Sequence, residues 1–460
     1  MATLESNLEA DHDSKALMTS SLDGQKATLA NELPPELLVH IFEMAQSIFF
    51  PLEQHSSWRF PLVLGKVSRY WRQVAYGAPT STLWSNVDIS LGQDLGGLQV
   101  YLGRSKNSPI DLSITFTPNI SQRGVSMLIG ILQPHYQRCR SIKVASELPY
   151  ESTTEISSIL GSMCQGHYPV LQHICVKGLD RTPYSQTFTI VADAVNLTSV
   201  HLRSLGFSYC RPPLTAVTQL HLAAPDRSIR YNDFSKMLRS CRSLVTLCVY
   251  DDVVFEWPTN LHKTYDMPFL RYLRIFGHML EVSELLLSIS APDLEELTIA
   301  PIVQNDLDYS RGETSNAPRF PALKTLTLSP EEDSKLTTVA QANACFPGIK
   351  LLILPNFNKI SSFVGSCKTA DSRPFWPELD GLAVRDIDDQ GVLYEFIQDR
   401  QRLGVPLRGL YLDPLSMSRM TRIDWLKDQL SVVVEADPWK IQFQNAFYCN
   451  EEDPFLGAEE

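Results

Sequence analysis

The clearest pattern along the chain is a short arrangement of apolar residues that recurs with a regular spacing. An apolar residue is followed by two variable positions, a second apolar residue, one variable position and a third apolar residue. Full copies begin at Leu171, Leu197, Val217, Leu244, Leu270, Leu294, Leu323, Ile349, Leu379 and Leu407, and weaker copies lie at 112–114 and 142–144. The full copies follow one another at intervals of 20 to 30 residues. The alternation within each copy predicts a short strand.

Between these strands the apolar residues change to a helical spacing. Four segments each place apolar side chains on one helix face: Ile156, Ile159, Leu160 and Met163; Phe234, Met237, Leu238 and Cys241; Val282, Leu285, Leu286 and Ile289; Val392, Leu393, Phe396 and Ile397. Strands and helices that alternate with this period predict an α/β solenoid, with a parallel sheet on its concave face and helices outside. A doubly wound α/β domain is the alternative, although ten or more strands would exceed most single sheets.

The start of the chain follows a different pattern. Pro34 and Pro35 suit the first turn of a helix, and Leu37, Leu38, Ile41 and Phe42 then recur with helical spacing. A second amphipathic helix is predicted from Leu64, Val67, Trp71 and Val74. About 50 residues bury too little surface to be stable without support. These helices are therefore expected to dock on a partner or on a neighbouring domain.

Composition narrows the possible functions. The formal net charge of −12 argues against nucleic acid as the main partner. We expect no membrane-spanning helix and no secretory signal, and nine scattered cysteines without metal-binding spacing indicate reduced thiols in the cytoplasm or the nucleus. No phosphate-binding, dinucleotide, hydrolase or zinc-protease motif is present. His201 and His221 are expected on the concave face without a catalytic role. We therefore expect no enzyme, no cofactor and no metal.

Three short stretches near the start resemble an F-box, in the F-box-like form common in fungi. They are Leu33 to Leu38 with Ile41 and Phe42, then Val67 to Arg72, then Leu83 and Trp84. Ser68 stands where the family often has Cys, and the segment 46–61 is longer than in compact F-boxes. The repeats resemble divergent leucine-rich repeats that mostly lack the usual asparagine. The resemblance implies docking on a Skp1-type adaptor and, through it, on cullin and RING subunits. The implied adaptor contacts are Leu33, Pro34, Leu37, Leu38, Ile41, Phe42, Val67 and Trp71.

The resulting domain prediction has four parts. Residues 1–30 are expected to be disordered, 31–86 to form the F-box-like domain, 87–448 the solenoid and 449–460 an acidic tail. Residues 439–448 are expected to cover the last repeat, since terminal repeats need a cap. Aromatic and Arg side chains are enriched at interface hot spots. Arg203, Tyr272, Arg274, Phe276 and Tyr411, all predicted on the concave face, are therefore the expected contacts with a target protein.

Three functions are consistent with this organisation. The first is the substrate receptor of a Skp1–cullin–F-box ubiquitin ligase, which holds a target protein through the repeats. The second is a non-degradative scaffold that binds a partner without any ligase role. The third is a hydrolase on an α/β fold, for which no nucleophile–base pair is visible in the sequence. A structural alternative for the first helices is that they only cap the solenoid.

Overall fold

The computed structural model describes the chain in blocks. These are residues 33–49, 60–91, 95–116, 121–146, 153–177, 188–203, 210–223, 229–250, 253–255, 257–258, 264–276, 282–302, 306–307, 320–330, 337–355, 360–367, 374–385, 387 and 389–435. The predicted disordered start 1–30, the predicted covering segment 439–448 and the acidic tail 449–460 lie outside the described residues. The chain forms two compact units. The first contains the described residues up to Cys175 with Asp193–Asn196, and the second contains Val176–Ala192 and the chain from Leu197 onwards.

The first unit begins with helices and continues as strands alternating with helices. Its helices are α1 (Pro35–Phe49), α2 (Phe60–Val67), α3 (Arg69–Ala75), α4 (Gly96–Arg104), α5 (Gln122–Leu132) and α6 (Thr153–Met163), with 3₁₀ helices at Ala78–Trp84 and Gln133–Arg138. Its strands are β1 (Asn86–Leu91), β2 (Ile110–Phe116), β3 (Cys139–Ser146) and β4 (His173–Lys177), at whose Cys175 the unit ends. β1, β2 and β3 pair in parallel and in chain order.

The second unit repeats the strand–helix alternation. Its sheet strands are β5 (Ser199–Arg203), β6 (Gln219–Ala223), β8 (Thr246–Tyr250), β11 (Tyr272–Phe276), β13 (Glu296–Ile302), β14 (Thr325–Pro330), β15 (Leu351–Leu354), β16 (Gly381–Val384), β17 (Gly409–Leu412) and β18 (Val432–Glu435). Short strands β7 (Ile229–Arg230), β9 (Val254–Phe255), β10 (Tyr265–Asp266) and β12 (Ile289–Ser290) pair outside this sheet. The helices are α7 (Tyr231–Ser240), α8 (Val282–Ser288), α9 (Thr337–Cys345), α10 (Ile360–Cys367), α11 (Gln390–Arg402), α12 (Pro414–Arg419) and α13 (Ile423–Gln429).

The sheet strands of the second unit are parallel, follow chain order and align their apolar motifs in register. The second apolar residues of successive motifs pair with one another across the sheet: Val200, Leu220, Leu247, Leu273, Leu297, Leu326, Leu352, Leu382 and Leu410. All of these side chains are fully buried. The predicted α/β class with a parallel sheet is confirmed. A shift by one residue would turn this whole row out of the core, so the apolar motif determines the register.

A backbone hydrogen-bond pattern recurs between most neighbouring sheet strands of the second unit. The carbonyl just before one strand accepts the N–H groups of two successive residues at the start of the next. The Lys350 carbonyl, for example, accepts from Asp380 and Gly381, both at 2.8 Å. The same arrangement recurs at the carbonyls of Thr198, Thr218, Val245, Arg271, Glu295, Lys324 and Asp380. The pattern satisfies backbone groups that would otherwise be unpaired where each strand begins.

A second feature of the repeat is a turn that precedes the strand. In several copies a buried apolar residue is followed by Pro, a variable residue and the first motif residue, as in Met267-Pro268-Phe269-Leu270. The turn is closed by a hydrogen bond from the N–H of Leu270 to the carbonyl of Met267 at 3.1 Å. Proline suits the second position of such a turn because its φ angle is already correct. The turn therefore adds a buried residue three positions before the motif.

Candidate protein-docking surfaces

The N-terminal helices enclose a small core of their own. Leu38 and Phe42 on α1 are 0 % and 1 % exposed. They belong to a cluster with Leu64, Val74, Ala75, Leu83, Trp84 and Tyr101. Trp71 packs against this cluster, with its ring centroid 4.9 Å from that of Phe42. α1 is thus held by apolar contacts that the chain itself supplies.

Hydrogen bonds complete this core. The indole N–H of Trp84 donates to the Ala75 carbonyl at 3.0 Å, and the Gln46 amide donates to the Leu83 carbonyl at 3.1 Å. The hydroxyl of Ser68 accepts the N–H of Trp71 at 3.1 Å and caps α3. Serine is a preferred N-cap residue. Ser68 therefore has a structural role at the start of α3.

A different side of the same helices is exposed. On α1, Leu37, Ile41 and Met44 are 53 %, 41 % and 50 % exposed, and their spacing of four and three residues places them on one face. On α2, Val63 and Val67 are also more than half exposed. We call these five residues the apolar docking face. Large apolar side chains grouped on a helix surface commonly mark an interaction site.

The structure divides the predicted adaptor contacts into two sets. Leu37, Ile41 and Val67 lie on the apolar docking face, and Pro34 is exposed beside the start of α1. Leu33 and Trp71 are half-buried. Leu38 and Phe42 cannot contact an adaptor in this arrangement because they fill the core of the module. The prediction that Leu38 and Phe42 contact an adaptor is therefore corrected. The broad apolar side of α1 consists of a buried stripe, with Leu38 and Phe42, and an exposed stripe, with Leu37, Ile41 and Met44.

The predicted boundary between residues 86 and 87 does not coincide with a packing boundary. Tyr101 on α4 is part of the N-terminal core, and its ring lies 4.7 Å from that of Trp84. Arg104 stacks over the rings of Tyr76 and Trp84 at 4.1 and 4.6 Å. A chain cut at residue 87 would separate Tyr101 and Arg104 from the rings that they contact. Substitutions therefore test adaptor docking better than truncation does.

In the second unit, the sheet face opposite the Leu row was expected to bind a target. Its middle row runs through His201, His221, Cys248, Arg274, Thr298, Thr327, Ile353, Ala383, Tyr411 and Val434, each paired with the next. His201 and His221 are neighbours here, with ring centroids 5.4 Å apart. The row is buried from Cys248 to Ala383. Much of this face is therefore not accessible to a target.

The expected target contacts are divided accordingly. Arg203, Tyr272 and Tyr411 are half-buried and keep accessible surface. Arg274 and Phe276 are buried, at 8 % and 2 % exposure, so their prediction as direct contacts is corrected. Adjacent strands lie only about 4.8 Å apart, so large side chains in register cover one another. Phe276 stacks face to face on Tyr250, with ring centroids 5.0 Å apart.

Glu296 introduces a carboxyl group into this face. It pairs in register with Tyr272 on the neighbouring strand. Burial raises the pKa of Glu296 above its usual value, while the positive charge of Arg274 acts in the opposite direction. The attraction of Arg274 therefore offsets only part of the cost of burying the ionised carboxyl of Glu296.

The first unit has a polar sheet face that was not predicted from the sequence. In β2, residues of the core side are buried while Asp111, Ser113 and Thr115 on the other side stay half-buried. Asp111 forms an ion pair with Arg140. Burial lowers the pKa of His173, with Asp111 raising it and Arg140 lowering it to a smaller extent. The alternation of apolar and polar residues in the sequence of β2 was sufficient to predict this face. The face was not predicted because its polar side in β2 carries no aromatic residue, the residue type expected at an interface.

No metal centre is found among the described residues. They contain no group of three or more His, Cys, Asp or Glu side chains that could hold a metal ion. The eight cysteines in the described part of the chain are free thiols. Burial raises the pKa of Cys139, Cys241 and Cys367 to about 12, which keeps these thiols protonated and unreactive near neutral pH. Of the described helices, none combines the length and hydropathy needed to span a bilayer.

Comparison with known proteins does not assign the chain to a family. No family model matches it, and no curated protein matches it.

Proposed function

We propose that the chain is the substrate receptor of a Skp1–cullin–F-box ubiquitin ligase. The observation that carries the proposal is the apolar docking face, which lies outside a core that the module closes by itself. This face would bind a Skp1-type adaptor, and the repeats would hold a target protein near the conjugating enzyme in the cytoplasm or nucleus. The chain would contribute proximity and no bond chemistry of its own.

The geometry favours a revised set of adaptor contacts. Leu37, Ile41, Met44, Val63 and Val67 supply the surface to be covered, and Leu38 and Phe42 support it from inside. The reading in which these helices only cap the strands behind them leaves the exposed stripe on α1 without a role. An adaptor groove that receives one helix face accounts for it, since helix-in-groove contacts use residues at i, i+4 and i+7.

The test is a double substitution, Leu37→Ala with Ile41→Ala, in the full chain. About half of each side chain is still available for burial, so the pair should contribute roughly 1.5–3 kcal/mol to adaptor binding. That loss weakens the affinity by roughly 10- to 100-fold. Calorimetric titration with a purified Skp1-type adaptor measures it.

A matched control comes from the same unit. Val100 on α4 and Met127 on α5 are 49 % and 53 % exposed, so Val100→Ala with Met127→Ala removes similar apolar surface elsewhere. This control should bind the adaptor like the unaltered chain. If both double variants bind equally, adaptor docking through this face is contradicted. Leu38→Ala separates folding from docking, because it should cost about 2–5 kcal/mol of stability.

The target-binding part of the proposal rests on accessible residues of the second unit. Arg203, Tyr272 and Tyr411 are the proposed contacts, whereas Arg274 and Phe276 would hold the surface in shape. Tyr272→Ala with Tyr411→Ala should reduce co-purification of targets while adaptor binding is unchanged. Measuring the half-lives of the co-purified proteins with and without the chain distinguishes a ligase receptor from a non-degradative scaffold: unchanged half-lives would support the scaffold.

A further inference from the structure

Basic side chains border the apolar docking face on α2 and α3. The segment from Phe60 to Gly77, which contains both helices, carries Lys66, Arg69 and Arg72 and no acidic residue. The whole chain has the opposite balance, with a formal net charge of −12. A local excess of one charge sign attracts oppositely charged groups to that part of the surface. This side of the docking face is therefore a basic region of an acidic chain.

Lys66 lies within the docking face itself. Lys66 and Val67 follow Val63 by three and four residues, the spacing that places side chains on the same side of a helix. All three side chains are exposed. Arg69 is the second residue after Val67 and is exposed as well. A partner that covers Val63 and Val67 therefore comes within reach of Lys66, and Arg69 extends the basic border beyond the end of α2.

The fold does not use Lys66 and Arg69 in the way that it uses other basic residues of the first unit. Arg140 pairs with Asp111, and the Nε–H of Arg72 donates to the Gly65 carbonyl at 2.7 Å. Within the part of the chain that the structure describes, Lys66 and Arg69 form no ion pair and no side-chain hydrogen bond. These two cations are therefore available to a partner, whereas Arg72 holds the structure of the turn.

The turn between α2 and α3 is fixed before any partner binds. Ser68 caps α3, and the hydrogen bond from Arg72 joins α3 to the backbone of α2. Gly65 is packed so closely that an added Cβ would lie 2.5 Å from the hydroxyl oxygen of Tyr76. Docking then does not have to order this turn, so it loses little conformational entropy there. The base of each cationic side chain is held in a defined place.

We propose that the adaptor presents acidic side chains to Lys66 and Arg69, next to the groove that receives the apolar docking face. This inference rests on the adaptor docking proposed above and adds the chemistry of the adaptor's binding surface. Charges at the border of an interface mainly steer association. The two cations therefore raise the association rate constant, while the apolar side chains, such as Leu37 and Ile41, limit the dissociation rate constant.

Two other anionic partners, a nucleic acid and a lipid surface, fit these cations less well. Both present negative charge over an area far larger than the docking face. The net charge of −12 on the chain opposes the approach to such an extended surface. An acidic border on a small adaptor groove interacts chiefly with charges within about 10 Å, the screening length at 0.1 M salt. It is therefore matched to Lys66 and Arg69 alone.

Association kinetics of the full chain with a purified Skp1-type adaptor test the inference. The unaltered chain and the double variant Lys66→Glu with Arg69→Glu are compared by surface plasmon resonance in about 0.05 M and about 0.5 M NaCl. The association rate constant of the unaltered chain should fall about 10-fold between these salt concentrations, because the attraction is screened. In the double variant it should be about 10-fold lower at the lower salt concentration, with a dissociation rate constant changed less than about threefold.

A matched control has the same change of charge elsewhere in the first unit. Lys106 and Arg123 are exposed, so Lys106→Glu with Arg123→Glu alters the net charge equally. Its association rate constant should stay within about twofold of that of the unaltered chain. If the two double variants associate equally fast, the effect belongs to net charge and the inference is overturned. Unfolding midpoints near that of the unaltered chain are expected for both variants.

The outcomes separate this inference from the proposed function. If Leu37→Ala with Ile41→Ala weakens adaptor binding while Lys66→Glu with Arg69→Glu does not slow association, the adaptor docks without an acidic border and only the inference fails. If the unaltered chain does not bind the adaptor, both fail. Binding of phosphatidylserine vesicles that is lost in Lys66→Glu with Arg69→Glu, with unchanged adaptor kinetics, would assign the cations to a lipid surface and overturn the inference.

Discussion

Arg400 joins a helix of the second unit to the turn that precedes β16. Its side chain is 3 % exposed and donates to the carbonyls of Phe375, Trp376 and Leu379 at 2.8, 3.1 and 3.2 Å. Burial lowers its pKa, an effect that Cys367 and Asp380 partly oppose. The guanidinium therefore holds three carbonyls at one turn of the repeat.

Replacing Arg400 with Met keeps most of the volume of the side chain and removes these hydrogen bonds. Hydrogen bonds to a charged donor contribute roughly 1.5–3 kcal/mol each to stability. Part of their loss is offset in the variant, because folding no longer has to bury a charged group. We therefore expect Arg400→Met to lower the free energy of unfolding by about 2–4 kcal/mol. Arg400→Lys should also destabilise, because one ammonium group cannot reproduce the fork of the guanidinium.

Arg402 offers a matched control on the same helix. It is exposed and pairs with Asp399 at 2.9 Å. Arg402→Met removes the same charge and should cost less than about 0.5 kcal/mol, as is usual for exposed pairs. Urea unfolding of both variants, followed by circular dichroism, measures the difference. If Arg400→Met costs no more than Arg402→Met, the turn does not depend on Arg400 and the reasoning fails.

Two further predictions concern the second unit. An added Cβ at Gly381 would lie 2.9 Å from a methyl group of Leu351, so Gly381→Ala should lower the free energy of unfolding by about 1–3 kcal/mol. Gly365 has open space around it on its helix, so Gly365→Ala should raise the free energy of unfolding by roughly 0.5–1 kcal/mol. Calorimetric unfolding should give opposite shifts of Tm, and shifts of the same sign would contradict this. Because burial raises the pKa of Glu296, the folded state holds the proton of this carboxyl more tightly than the unfolded state does. The contribution of Glu296 to the free energy of unfolding therefore falls as pH rises above about 4.5. The free energy of unfolding of Glu296→Gln, measured relative to that of the unaltered chain, should therefore increase as pH rises above about 4.5 and then level off. A difference that does not change with pH would refute the raised pKa of Glu296.

The repeat of the second unit was largely predictable from the sequence. A period-two apolar motif can satisfy the core in only one register, so motif residues such as Leu273 and Leu297 had to pair. The turn before each strand was missed, although its signal is present. Pro268, Pro292, Pro321, Pro347 and Pro377 in the second unit, and Pro169 in the first, each follow a buried residue and stand two positions before a motif residue.

The accessibility of the opposite sheet face was not predictable in the same way. Alternation assigns a residue such as Arg274 to a side of the sheet, but it does not say whether that side is covered. Coverage depends on residues brought together by the fold, such as the ring of Tyr250 against Phe276. The prediction of five target contacts therefore named the correct side of the strands and overestimated how much of it is exposed.

The same limit explains the two stripes of α1. Leu37 and Leu38 are neighbours in sequence, and helical spacing places both within one broad apolar face. Which of the two is internal depends on where α3 and the 3₁₀ helix pack against α1. The periodicity of α1 carries no information about that packing. The module uses Leu38 and Phe42 to close its own core and leaves Leu37, Ile41 and Met44 outside. Because folding depends on the first stripe and not on the second, substitutions in the outer stripe can remove binding while the fold remains.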